Sequence, residues 1–163
     1  MTAQKPFFVT KKEVCEFFYE KYVERILNGW LATTCLRKVI NEIKEKIPCA
    51  IAKEMVLMAV LTCYSQVRPP VFSVLERITK EIKNTFLKSI AYFTIFRTCY
   101  EEGLLEEGEK YIEKIQIPEI RDEALSRMAF FLINEVYDFK KALVFINKIK
   151  DPLQRYGATV PLS

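Results

Sequence analysis

Five cysteines are the most reactive side chains in this sequence: Cys15, Cys35, Cys49, Cys63 and Cys99. No two are spaced as Cys-x-x-Cys, so the zinc-site and thioredoxin-type patterns are missing. Their number is odd, and most sit in apolar surroundings such as Leu61-Thr62-Cys63-Tyr64. A cysteine in such a setting behaves as a small hydrophobe. The five are therefore read as free structural thiols of a reducing compartment. Histidine is absent from all 163 residues, which removes Ser-His-Asp triads, Cys-His pairs and His-bearing metal sites. Neither a Gly-x-x-x-x-Gly-Lys loop nor a Gly-x-Gly-x-x-Gly turn is present. Carboxylates crowd at Glu101, Glu102, Glu106, Glu107 and Glu109. General acid–base work needs carboxylates that converge in a cleft with shifted pKa values. A run at the start of a helix is more simply a solvated face that complements the positive helix end. The expectation is a chain with no catalytic residue, no metal and no cofactor, hence not an enzyme.

Lys plus Arg is 25 and Asp plus Glu is 21, a net charge of +4. That is ordinary for solubility and lacks the concentrated basic face of a nucleic-acid binder. The longest uncharged apolar run, Met55 to Cys63, is about nine residues, against about 20 for a membrane span. Met1-Thr2-Ala3-Gln4-Lys5-Pro6 carries no apolar signal region. A cytoplasmic protein without membrane contact is expected. Half of the residues are hydrophobic and 13% are aromatic, which excludes a disordered chain.

The elements that must position any site read as helices almost throughout. Strand alternation and Asn-Gly or Asp-Gly hairpin turns are missing. The breakers divide the chain into eight or nine helices. The first covers Lys11 to Leu27 and ends at Asn28-Gly29. The second starts near Thr34, a candidate N-cap, and carries Leu36, Ile40, Ile43 and Ile47. The third starts at Pro48 and runs to Tyr64; the fourth spans Val71 to Ile82, after Pro69-Pro70. Asn84 caps a fifth, Thr85 to Glu101, closed by Gly103. Leu105 to Ile115 forms a sixth, and Pro118 opens a seventh to Asn134. Asp138 caps an eighth to Ile149, and Asp151-Pro152 opens a ninth. Met55–Leu61, Ile90–Phe96 and Met128–Ile133 are apolar nearly all round, which predicts burial on more than one side. The helices between them show a single apolar stripe.

Shifting the chain against itself by about 34 residues exposes a repeat. Ile112, Lys114, Ile115, Pro118, Arg121 and Ala124 fall on Ile146, Lys148, Ile149, Pro152, Arg155 and Ala158. Gly108 falls on Ala142, both small where helices approach closely. Upstream, Leu36, Ile40, Ile43 and Ile47 recur as Val71, Leu75, Ile78 and Ile82. Approximate units are 11–47, 48–82, 83–117 and 118–151, with a capping helix at 152–160, all in one domain.

The stretches Tyr100–Ile115 and Val136–Pro152 resemble the turn, second helix and closing Asp-Pro of the tetratricopeptide repeat. Leu105 and Phe139 take its apolar place after the turn, and Gly108 and Ala142 its small residue. The first-helix Trp and the Leu-Gly of that pattern are not seen, and Pro69-Pro70 interrupts the second pair, departures that leave a neighbouring helical-repeat class such as the HEAT-like one open, with the same stacked-pair fold. The resemblance implies an all-α, right-handed stack of antiparallel helix pairs whose first helices line a concave groove. It makes Lys88, Arg97, Arg121 and Arg127 groove residues that bind carboxylates of a partner peptide, with Asn134 as a backbone clamp. For Arg121 and Arg155, pairing with carboxylates of neighbouring helices is the simpler expectation. The function expected is a non-catalytic scaffold or chaperone-like adaptor that holds a peptide or helix of another protein. The alternatives are a helical-repeat nucleic-acid binder or a piece of a larger assembly. The aromatic N-terminus (Phe7, Phe8, Phe17, Phe18, Tyr19, Tyr22, Trp30) is read as a buried cap, or else as a homodimer seam.

Overall fold

Short-range chemistry decides where half of the described helices begin. The computed structural model describes residues 10–160; the expectations placed on Phe7 and Phe8 lie outside the described residues. Thr10 Oγ1 accepts the Glu13 amide at 3.2 Å and opens α1, Lys11–Leu27. Asn84 accepts the Leu87 amide, Asp138 that of Lys141 and Asp151 that of Gln154. Each side-chain oxygen satisfies an amide that has no partner inside its helix. Proline is the first residue of two helices, where its missing N–H costs nothing.

The remaining helices are α2 (Trp30–Thr33), α3 (Leu36–Lys46), α4 (Ala50–Ser65), α5 (Phe72–Lys80), α6 (Thr85–Glu101), α7 (Leu105–Lys114), α8 (Pro118–Phe131), α9 (Phe139–Lys148) and α10 (Pro152–Thr159). No strand occurs among the described residues. The fold is all-α, with ten α-helices among the described residues where eight or nine helices are expected. The extra one is α2, a single turn behind Gly29, whose φ of +91° suits glycine. It follows that Thr34 closes α2, and Cys35, not Thr34, precedes α3. A π-helical turn, Leu132–Val136, prolongs α8 and ends at Tyr137, which takes φ +59° without being glycine.

Packing divides the helices into two series. α1 packs on α4, α4 on α6, α6 on α8 and α8 on α10. The intervening helices flank these: α3 touches α4, α5 touches α4 and α6, α7 touches α6 and α8, and α9 touches α8 and α10. Each flanking helix buries one stripe, such as Leu75 and Ile78 of α5, Tyr111 and Ile112 of α7, and Phe145 and Ile146 of α9. Full burial of such a side chain stabilises by roughly 1.5–3 kcal/mol. Gly108 lets α7 close on its neighbours. A Cβ there would stand 3.4 Å from both Cys99 Cβ and Phe96 Cδ2.

The expectation of five free thiols is corrected. Cys15 and Cys49 form a disulfide with Cα atoms 5.7 Å apart and a sequence separation of 34. A Cys-x-x-Cys search detects only local pairs, and this one exists because α1 packs on α4. Cys35 and Cys63 are free and exposed, and Cys99 is free and buried. The aromatic stripe of α1 is largely used within the chain. Tyr22 and Trp30 are buried with rings 5.3 Å apart, and Arg25 lies 4.3 Å over Trp30 while pairing with Glu42 of α3. No described helix is long and apolar enough to cross a membrane.

Candidate functional site

The fifth residue of α4, α6 and α8 has the same task in each helix. The Glu54 carboxylate accepts the backbone amides of Lys83 and Asn84, the latter at 2.9 Å. Ser89 Oγ accepts those of Gln116 and Ile117, both at 3.3 Å. Asp122 accepts those of Lys150 and Asp151, both at 3.0 Å. Each time one helix latches the linker that leads into the next helix of its series. The Cys15–Cys49 disulfide stands in the equivalent place: Cys15 is the fifth residue of α1, and Cys49 directly precedes α4. The flanking helices are joined in parallel. Lys44 pairs with Glu81 at 2.9 Å, Tyr111 Oη donates to Glu76 at 2.6 Å, and Lys148 pairs with Glu113 at 3.4 Å.

Because the latches fix how each helix is turned, they also fix which side chains share a face. Ile51, Met55, Met58 and Thr62 follow a helical i, i+4, i+7, i+11 series on α4. Phe86, Ile90, Phe93 and Arg97 repeat it on α6, at the same distance from the latch residue. Ile51 is 56% exposed, Phe86 54% and Phe130 58%. These helices are thus not buried all round, as their composition suggests. Arg127 ties α8 to this surface. Its guanidinium lies 5.2 Å from the Phe93 ring centre and bonds Glu123 at 3.0 Å. Glu123 in turn accepts from the Gln154 amide of α10 at 3.2 Å.

The five residues singled out from the sequence do not form one site. Arg97 and Arg127 border the same apolar surface. Arg97 also lines a cleft with Ser65, Gln66, Arg68 and Glu101. There Arg68 pairs with Glu101 at 3.0 Å and Glu102 at 2.7 Å. Lys88 precedes Arg97 by two and a half helical turns and so faces away from it; it lines a different cleft, beside α7. Arg121 makes no ion pair among the described residues. Arg155 Nε donates to the Ile149 carbonyl at 2.8 Å, so it satisfies the end of α9 and is not paired with a carboxylate. The Asn134 amide donates to the Phe130 carbonyl at 2.8 Å, so it serves its own chain where the π-helical turn begins. Met55 and Phe130 were missed because their runs, Met55–Leu61 and Met128–Ile133, read as core, while Ile51 and Phe86 stand ahead of the apolar runs of their helices and were not singled out. Their helical spacing carries the signal, but which spoke of the wheel faces out depends on the neighbours.

Among the described residues no group of three His, Cys, Asp or Glu side chains is placed to hold a metal ion. The thiols differ in chemistry. The Lys38 backbone N–H beside Cys35 holds its thiol below the usual range, whereas burial pushes Cys99 up to about 12. Burial, then the hydrogen bond to Glu76, raises the Tyr111 hydroxyl. Comparison with protein-family models, with curated proteins and with solved structures gives no match.

Proposed function

We propose that the chain is a non-catalytic, tetratricopeptide-like stack of helix pairs that holds a segment of another protein across α4, α6 and α8. The observation that carries this reading is the aligned surface of Ile51, Met55, Phe86 and Phe130, large apolar side chains left in solvent with Arg97 and Arg127 beside them. Contiguous exposed apolar surface rimmed by charge is the mark of an interaction site. The recurring latches support the stacked-pair reading, since each helix of the series is held to the next by one device. The arginines suit a segment that carries carboxylates next to apolar anchors. An adaptor or chaperone-like role suits that combination.

The test is a photo-crosslinking amino acid placed at Phe86 or Phe130 in cells, with Lys140 of α9 as the control position. The expected result is a discrete protein adduct from both test positions that Arg97→Glu and Arg127→Glu abolish. No adduct, or equal labelling from position 140, refutes the assignment of this surface.

A further inference from the structure

A second cleft, between the start of α6 and the end of α7, has a different character. It holds about 500 Å³, and its lining includes Lys83, Lys88, Lys114, Glu113, Ser89 and Tyr92. The single carboxylate among these is engaged elsewhere: Glu113 pairs with Lys148 of α9 at 3.4 Å. None of the three lysines has a carboxylate within ion-pairing distance among the described residues. Lys114 is held instead by rings, its Nζ 5.7 Å from the Tyr92 centre and 5.3 Å from that of Tyr111. Such contacts orient an ammonium without neutralising it.

Ser89 adds an independent sign. It is 2% exposed, and its Oγ accepts the Gln116 and Ile117 amides. Its own O–H has no acceptor among the described residues. Buried donors are nearly always satisfied, so a donor left over on a cleft wall marks where an acceptor belongs. The neighbouring cleft, beside α4, is an internal comparison. It also has three lysines, Lys44, Lys53 and Lys83, but Glu81 neutralises Lys44 at 2.9 Å, and Glu54 is a second carboxylate on its wall. The excess of positive charge is therefore larger on the α6–α7 side, three lysines against one carboxylate that is engaged elsewhere, than in the comparison cleft, three against two.

We infer that the α6–α7 cleft binds a small anion carrying phosphate groups. Lysines present separate point charges, which suit phosphate oxygens, whereas planar carboxylates are matched by the arginine fork. The volume is that of a small-molecule pocket. The start of α6 adds partial positive charge to the same side. This inference does not depend on the surface bordered by Arg97.

Isothermal titration of the full chain with pyrophosphate tests it. Saturable binding at one site is expected, weakened by added salt. Lys88→Glu and Lys114→Glu each lower affinity by at least about tenfold, and Lys53→Glu in the comparison cleft by less than about twofold. Lys88→Gln, which removes charge with little change of shape, gives the same direction and guards against a folding defect in the reversals. Four results overturn the inference: no binding of pyrophosphate; unchanged affinity in Lys88→Gln; equal loss in Lys53→Glu; or citrate bound as tightly as pyrophosphate. A phosphoserine peptide bound more tightly than pyrophosphate overturns the small-molecule assignment.

Discussion

Asp122→Asn is the sharpest test of how the helices are held in order. Asp122 is 2% exposed and gives one carboxylate oxygen to the Lys150 amide and the other to the Asp151 amide, each at 3.0 Å. Asparagine keeps the shape and one oxygen, but it turns an NH2 group on the second amide. One charge-assisted hydrogen bond is lost and a buried donor is left facing a donor. A hydrogen bond to a charged group contributes about 1.5–3 kcal/mol and an unmet buried donor costs about 1–3, so the expected loss is about 3 kcal/mol. For a chain of this size that corresponds to about 9 °C in melting temperature. Urea unfolding reads the stability, and amide hydrogen exchange reads the place: Lys150, Asp151 and α10 exchange faster while α4 and α6 keep their protection. Asp151→Ala is the reference, since it removes only the exposed cap that accepts from Gln154, a loss of about 1 kcal/mol. The reasoning is refuted if Asp122→Asn lies within about 0.5 kcal/mol of the unaltered chain, or costs no more than the reference.

Two further outcomes follow from the cysteines. Cys15→Ser with Cys49→Ser, or reduction of the native chain, opens a loop of sequence separation 34 and lowers stability by about 4 kcal/mol in the chain-entropy model; an unchanged denaturation midpoint under reductant contradicts this. In the native state, iodoacetamide modifies Cys35 at lower pH than an ordinary thiol, because the Lys38 amide favours its thiolate, while Cys99, pushed up to about 12, stays unlabelled until the chain unfolds. Peptide mapping after alkylation across a pH series checks both, and early labelling of Cys99 counts against the packing around it.

The parts of the fold that were legible in the sequence rest on local chemistry. Asn84, Asp138 and Asp151 announce helix starts because a cap acts three residues along the chain. The spans Lys11–Leu27 and Thr85–Glu101 read correctly because polar caps or glycine bound an unbroken apolar pattern. The latches stayed hidden because Glu54, Ser89 and Asp122 differ in residue type while sharing one position, so no repeated letter marks them. The disulfide stayed hidden for a different reason: its two cysteines are separated by 34 in sequence and meet only because α1 packs on α4. Tyr137 gave no warning of a left-handed residue, since glycine or asparagine ordinarily signals one. Lys88 and Arg97 were grouped by charge, although the helical period alone places them on opposite sides of α6.

The latches also have a direction. In all three, and in the disulfide, the group that receives the linker lies earlier in the chain than the linker itself. A chain synthesised from its N-terminus therefore displays each receiving side chain before the segment it will capture has been made. Assembly can run forward one helix at a time, each docked helix offering the acceptor for its successor. The covalent link closes the first of these steps. In a growing chain the link between α1 and α4 would thus be in place while α10 was still to be made.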